Sequence, residues 1–409
     1  MWGFGSLAAL GLALALLGPA AARTLVINAN TSDPAPRAAW SAAVAGFQRE
    51  NPDIEVKFNV YDHESYKRSI RNWLTGGSPD VVFWFAGNRM RGFVERGLLA
   101  DVSSLFTPEV RASLHRSAVD LVTVAGRQYG APYSYYQIGF YFRRDLLDRA
   151  GVAAFPRDWV ELLEACRKLK IASIDAFAIG SKDLWPTAAW FDYLNLRING
   201  HAFHMDLMRG AIRYTDERVR AVFARWRELL DAGCFTRNHA SVSWQESQAL
   251  LYQDRAAMML IGNYIVANFP ADIRDKMDFA PFPVVKPGVG RYEDAPMNSL
   301  HIPAGARNKE DARRFLAYVL RANTQEAINK ALLLLPVHLK AATADDRFLK
   351  KGQALLREAD ALAQFFDRDT SEDLATIAMK GFQEFMIDPQ RLDGVLATIE
   401  QARKRIYKQ

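Results

Sequence analysis

The sequence predicts an α/β fold built as two units, and three observations carry that prediction. From Leu25 onward, short apolar or alternating runs bounded by turn residues are interleaved with segments of helical spacing, the order expected of a parallel sheet covered by helices. The alternation starts afresh past Tyr136. A chain of 409 residues, 50% of them hydrophobic, also has enough apolar surface for two cores rather than one.

Each element follows from local chemistry. Leu25 to Ala29 is a short apolar strand. Ser32 or Asp33 can cap a helix that Pro36 starts well, with Trp40, Val44 and Phe47 at helical spacing. Ile54, Val56, Phe58 and Val60 alternate as a half-buried strand does, and a helix through Tyr66 to Leu74 follows. Val81 to Phe85, between the Pro79-Asp80 turn and Gly87, has the unbroken apolar character of a buried parallel strand. Arg89 to Leu98 then reads as a helix with Phe93 and Val94 on one side. The second unit begins with strand Gly139–Phe142, helix Trp159–Leu169 and strand Ala176–Ile179, then mostly helices to about Ile261. Phe282 to Pro303 is rich in Pro and Gly and returns to extended structure; the last hundred residues are helical. No internal repeat or low-complexity tract is found.

In open α/β sheets, ligands bind outside the carboxyl ends of the strands. The end of the Val81–Phe85 strand holds Trp84, Phe85, Asn88 and Arg89, two aromatic faces beside amide and guanidinium donors. A sugar ring has apolar C–H faces and a rim of hydroxyls, and each hydroxyl left unpaired in a closed cleft costs about 1–3 kcal/mol. Aromatic rings cover such faces, and Asn, Asp and Arg satisfy the rim. Trp84, Tyr135, Tyr136, Trp185, Trp244 and Tyr264 are the candidate plates; Asn30, Asp33, Asn88, Arg89, Asn263 and Asn298 are the candidate rim. Against each stands a plainer role, core packing for the rings and turns or caps for the polar groups. His301 and Trp159 are read as packing residues.

The first residues and the charge narrow the class. Residues 7–17, LAALGLALALL, are too short to span a bilayer as a helix. Gly18-Pro19 breaks the block, and Ala20 to Ala22 supply small residues for a signal peptidase, so a secretory signal over 1–22 cleaved near Ala22 is expected. No Lys or Arg precedes the apolar block, and no Cys follows the cleavage site. The net charge of +6 invites a nucleic-acid reading, but the clusters Arg143-Arg144, Arg313-Arg314, Lys350-Lys351 and Arg403 to Arg405 are scattered over helical faces rather than gathered in one stripe. The two cysteines, Cys166 and Cys234, make no zinc set by themselves. They can pair in an oxidising compartment, or each can be a small buried residue near a helix end.

Seven blocks also resemble a known family in order and spacing: PDVVFW, GRQYGAPYSYYQIGFYFRRDLL, RDWVELLEAC, DLWP, AAMMLIGNY, HIPAGARNKEDARRFLAYVL and EAINKALLLLPV. Together they resemble the bacterial extracellular solute-binding proteins of family 1, the carbohydrate receptors of ABC importers, over nearly the whole mature chain. The resemblance implies a periplasmic-binding-protein fold: two α/β lobes joined by a hinge, with a ligand cleft between them. It implies crossings near Tyr135-Tyr136, Tyr264 to Ala280 and Leu332 to Pro336. One lobe would then comprise 23–135 plus about 265–330, and the other 136–264 plus about 331–409. Family binding positions fall on Trp84, the pair Asn88-Arg89, Tyr136, Tyr264 with Asn263 beside it, the loop at Asn30 and Asp33, and the turn Ser181 to Asp183 ahead of Trp185. A late tryptophan of maltodextrin-binding members falls near Ala375 instead, which argues for a smaller sugar.

The function implied is a monomeric periplasmic receptor that delivers a small saccharide to an ABC transporter permease, with no cofactor, metal or nucleic acid and no catalysis. Two alternatives follow from the same residues. Adjacent tyrosines such as Tyr135-Tyr136 suit ferric iron, because phenolate is a hard donor; a polyamine receptor is the related option. A secreted glycosidase would need two carboxylates facing the sugar about 5–9.5 Å apart, and no spacing nominates such a pair.

Overall fold

The computed structural model describes residues 23–77 and 79–408; the expected signal segment lies outside the described residues. The chain opens as expected, with β1 (Arg23–Ala29), α1 (Pro34–Glu50), β2 (Ile54–Val60), α2 (His63–Gly76), β3 (Val81–Phe85) and α3 (Asn88–Glu95). β1 runs parallel to both β2 and β3, with Ile27 opposite Phe58 on one side and Val81 on the other. All five residues of β3 are buried, as a strand covered on both faces requires. Trp40, from α1, meets Phe83 edge-on at 4.5 Å, an aromatic pair worth about 0.5–1.5 kcal/mol beyond its burial.

β4 (Ala131–Tyr135) completes this stretch of the first unit, and the second contains β5 (Ile138–Arg143), α4 (Trp159–Ile171), β6 (Asp175–Phe177), α5 (Trp185–Met208), α6 (Glu217–Asp231), α7 (Trp244–Tyr252), β7 (Ala256–Gly262) and β8 (Met277–Ala280). β7 falls inside a stretch expected to be helical. Its seven residues are all buried, so it shows no alternation, and periodicity does not separate such a run from a buried helix. The remainder comprises β9 (Tyr292–Asp294), β10 (Met297–His301), α8 (Lys309–Val319), α9 (Ala322–Leu332), β11 (Leu335–Pro336), α10 (Arg347–Arg357), β12 (Ala361–Ala363), α11 (Phe366–Asp369), α12 (Glu372–Ile387) and α13 (Leu392–Tyr407).

Two main sheets result. The first has strand order β11-β4-β10-β3-β1-β2, and the second β8-β5-β7-β6. The second is not the parallel layer that its strand–helix alternation predicts: β5 is antiparallel to both β7 and β8, and only β6 joins parallel to β7. These sheets centre two lobes, the architecture that the resemblance implies.

The second crossing lies later than expected. The segment 265–280, assigned above to the first lobe, ends in β8, which pairs with β5 of the second sheet; the chain rejoins the first sheet at β10. Leu335 and Pro336 still pair with β4, and α10 then packs on β8. The first crossing, at Tyr136-Gln137, is bonded to the second, since Tyr136 N–H donates to the Pro296 carbonyl at 3.3 Å. The C-terminal helices α11 and α12 lie on α5 and so belong with the second lobe.

Cys166 and Cys234 form a disulfide with Cα atoms 5.4 Å apart. Both are also fully buried, so the two alternatives left open by the sequence hold together. The bond ties α4 to the turn after α6, within the second lobe.

Candidate functional site

A cavity of about 170 Å³ lies between the lobes. The first lobe contributes the loop Asn30 to Asp33 after β1, His63 and Lys67 at the start of α2, Trp84 and Phe85 at the end of β3, and Asn298 of β10. The second contributes Trp185 opening α5, Trp244 opening α7, and Phe365, Asp367 and Arg368; Tyr136 and Tyr264 sit where the lobes meet. Strand ends and helix starts converge here because every strand of the parallel trio β2-β1-β3 points its carboxyl end at the gap.

The rings form a near-continuous belt. Phe365, Trp185, Trp244, Tyr264 and Tyr136 follow one another at centroid spacings of 6.3, 5.7, 5.8 and 5.3 Å. Trp244 continues to His63 at 6.4 Å, His63 to Phe85 at 6.1 Å, and Phe85 to Trp84 at 4.8 Å. Gly262 makes the Tyr136–Tyr264 contact possible: a Cβ there would lie 2.4 Å from the Tyr264 ring and 2.8 Å from that of Tyr136, which no side chain tolerates.

Polar groups interrupt this belt. Asn30 Nδ2 donates to His63 Nδ1 at 3.1 Å, which assigns the ring proton to Nε2. Burial lowers the His63 pKa to about 3, so the ring is neutral. Arg368 lies over the Phe85 face at 4.1 Å and donates to the Tyr136 hydroxyl at 2.8 Å and to the Met297 carbonyl at 3.0 Å. Lys67 pairs with Glu64 at 3.1 Å, and Asp367 with Arg89 at 3.2 Å. Asp33 occupies the N-cap position of α1, as expected, yet its side chain accepts no bond from the helix. Burial first, and then the nearby Asp62 carboxylate, push its pKa upward. Among the described residues, the indole N–H groups of Trp84, Trp185 and Trp244 and the Thr31 hydroxyl have no hydrogen-bond partner. A buried donor left unpaired costs about 1–3 kcal/mol, and acceptor oxygens would relieve it.

Of the twelve candidate residues, Asn30, Asp33, Trp84, Tyr136, Trp185, Trp244, Tyr264 and Asn298 line this cavity; Asn88, Arg89, Asn263 and Tyr135 do not. Asn88 donates to the Asp369 carbonyl at 2.5 Å. Arg89 turns behind Trp84, buried between that ring and the carboxylates of Asp367 and Glu372. Asn263 is fully buried, accepting from Tyr141 Oη at 2.7 Å and Gln137 Nε2 at 2.9 Å. Tyr135 sits opposite Leu335 and Met297, its ring edge-on to His115. Ser181 and Asp183 hold the turn, Ser181 on His239 and Asp183 on the Trp244 backbone N–H. The sequence analysis overlooked His63, Lys67, Phe365, Asp367 and Arg368. The strand-end rule applied to β2 would have found the first two. No local signal marks the other three, which reach the cavity through the packing of α11 on α5.

A titrating group sits immediately behind the wall. Burial raises the Asp369 pKa to about 6, with Asp367 adding to the shift and backbone N–H groups and Arg368 opposing it. A raised carboxyl pKa means the folded state holds the proton more tightly than the unfolded chain, so this contribution to stability declines as pH rises from about 4 to about 6. Asp369→Asn retains an oxygen for the Gln364 N–H. At pH 7.5 it is expected to be more stable than the parent by up to about 3 kcal/mol, with the difference shrinking toward pH 4. Urea unfolding at the two pH values checks this; a variant less stable at pH 7.5 would contradict it.

The fold and the site define a two-lobed receptor with a ligand-sized cavity at the lobe boundary. A model of the bacterial extracellular solute-binding protein family matches residues 30–326, and the chain belongs to that family. It is 21% identical over 298 residues to an uncharacterized ABC transporter extracellular-binding protein of Pyrococcus horikoshii, a match covering 71% of this chain and 66% of that relative. A second such protein of the same organism is 22% identical over 89% of this chain and 84% of its own length. Among solved structures, the bacterial solute receptor AcbH, described as having an exclusive preference for β-D-galactopyranose, shares 28% identity at a TM-score of 0.89, with 94% of this chain and 100% of that chain covered. A chitin oligosaccharide binding protein superposes with a TM-score of 0.86 at 18% identity, covering 95% of this chain and 100% of that chain; at that identity the likeness speaks for the fold. Among the described residues, no helix is long and apolar enough to cross a membrane.

Proposed function

We propose that this solute-binding protein is an extracytoplasmic receptor that closes on a small saccharide and presents it, as a monomer, to the membrane permease of an ABC transporter. The aromatic belt around the cavity carries the reading. Rings on both lobes can cover the two faces of a pyranose, while Asn30, Asp33, Asn298 and Arg368 stand where a hydroxyl rim needs donors and acceptors. The preference of AcbH for a single pyranose supports a short ligand, as does the modest cavity volume. The ferric-iron alternative loses its motivation because Tyr135 and Tyr136 do not converge on the cavity.

A ligand that binds only the native state raises stability by RT ln(1 + [L]/Kd), about 2.7 kcal/mol at a hundredfold excess over Kd. A thermal-shift screen of neutral mono- and disaccharides is expected to return at least one such shift, with the sugar recovered intact on chromatography. Shifts confined to polyamines, amino acids or ferric iron would overturn the saccharide reading.

A further inference from the structure

Three guanidiniums of the first lobe draw all their ionic partners from the second. Glu372, in the first turn of α12, receives Arg89 Nη1 on Oε1 at 3.2 Å and Arg71 Nη2 on Oε2 at 2.7 Å. Arg96 Nη2 approaches the latter oxygen at 3.8 Å. Arg71 also lies 3.6 Å from Asp373, and Arg89 Nη2 3.2 Å from Asp367. Arg71 lies in the second half of α2, Arg89 lies in the first turn of α3 and Arg96 follows its last residue as the C-cap, and the carboxylates sit on α11 and α12, which pack on α5. Among the described residues, no other carboxylate lies within 4.0 Å of these arginines.

Acidic residues in the first turn of a helix have an ordinary role in offsetting its dipole, and that role alone would account for Glu372 and Asp373. It does not account for the arginines, which gather at one point where, among the described residues, no carboxylate of their own lobe lies within 4.0 Å. Separating the lobes would leave these cations facing one another and take from Arg89, 6% exposed with the lobes together, both of its pairs.

We propose that Arg71, Arg89 and Arg96 clasp Asp367 and Glu372 across the cleft, so that the clasp biases the unliganded protein toward closure and slows ligand release. Because Arg71 and Glu372 are part exposed, the bias weakens with ionic strength. The release part rests on the saccharide reading above; the closure part does not.

The test uses Glu372→Gln and Arg71→Ala, one on each lobe and neither lining the cavity. Spin labels at Arg116 and Ile171, both strongly exposed and on different lobes, report the interlobe distance in the unliganded protein at low and high salt. Each variant is expected to shift the population toward longer distances at low salt, and the double variant to add little further. High salt should move the parent in the same way and leave the variants nearly unmoved. With a sugar from the thermal screen, each variant should release it about tenfold faster, since most differences between related complexes lie in the dissociation rate. Distance distributions that are identical in parent and variants at both salts would overturn the clasp. A failed sugar screen would remove the saccharide reading and leave the distance measurement to decide the clasp.

Discussion

Replacing Trp84 with alanine is expected both to destabilise the unliganded protein and to weaken ligand binding. The ring is 3% exposed and packs against Phe93 at 5.4 Å and Tyr66 at 6.4 Å, with the Arg89 guanidinium 5.5 Å from its centroid. Emptying that space costs about 3–5 kcal/mol, as large aromatic-to-alanine changes in cores do. The same residue lines the cavity, and removing an aromatic anchor costs about 1–3 kcal/mol in binding. From sequence alone these outcomes were alternatives, a cleft plate or a core ring; in the structure one side chain occupies both environments. Urea unfolding without ligand and calorimetric titration of the folded fraction read the two effects separately. Near-normal stability with lost affinity would mark an exposed plate. Lost stability with unchanged affinity would remove Trp84 from the binding surface.

Opening the Cys166–Cys234 bond is expected to cost about 4 kcal/mol, the chain-entropy value for residues 68 apart in sequence. The double change to alanine is the cleaner form, because both positions are buried and serine would add a hydroxyl to each. Neither cysteine lines the cavity, so affinity of the folded protein should be unchanged. Chemical denaturation of the oxidised parent against the double variant measures the difference; a loss below about 1 kcal/mol would mean that the reduced chain is already restrained or that the bond strains the native state.

Legibility from sequence followed the range of the forces involved. β3 and the Trp84 position were readable because an apolar run between turn residues is a local signal, and the strand-end rule then points to one place. The rule gives a location and not a direction: α3 begins at Asn88, one residue earlier than expected, and carries Arg89 behind the tryptophan rather than into the cavity. β7 was unreadable for the opposite reason, since complete burial erases the alternation that marks a strand. Arg368 and Asp367 follow a short strand and an irregular corner, and only long-range packing brings them to the site. Asp33 was legible as a residue ending a turn before a helix, but that pattern describes a cap. Its side chain makes no capping bond, because the position faces the cavity instead.

The hydrogen bond from the Tyr136 amide to the Pro296 carbonyl fastens two of the crossing segments side by side. Two strands fastened in this way resist independent twisting, so a large relative motion of the lobes reduces to rotation about one line. Mechanically the molecule then has one soft coordinate, an angle, into which any cargo in the cavity is translated. A membrane partner seated across both lobes would read that angle and nothing of the cargo's chemistry. Specificity could accordingly be rewritten in the cavity wall without altering the docking face, and one docking face could serve receptors with different cargoes.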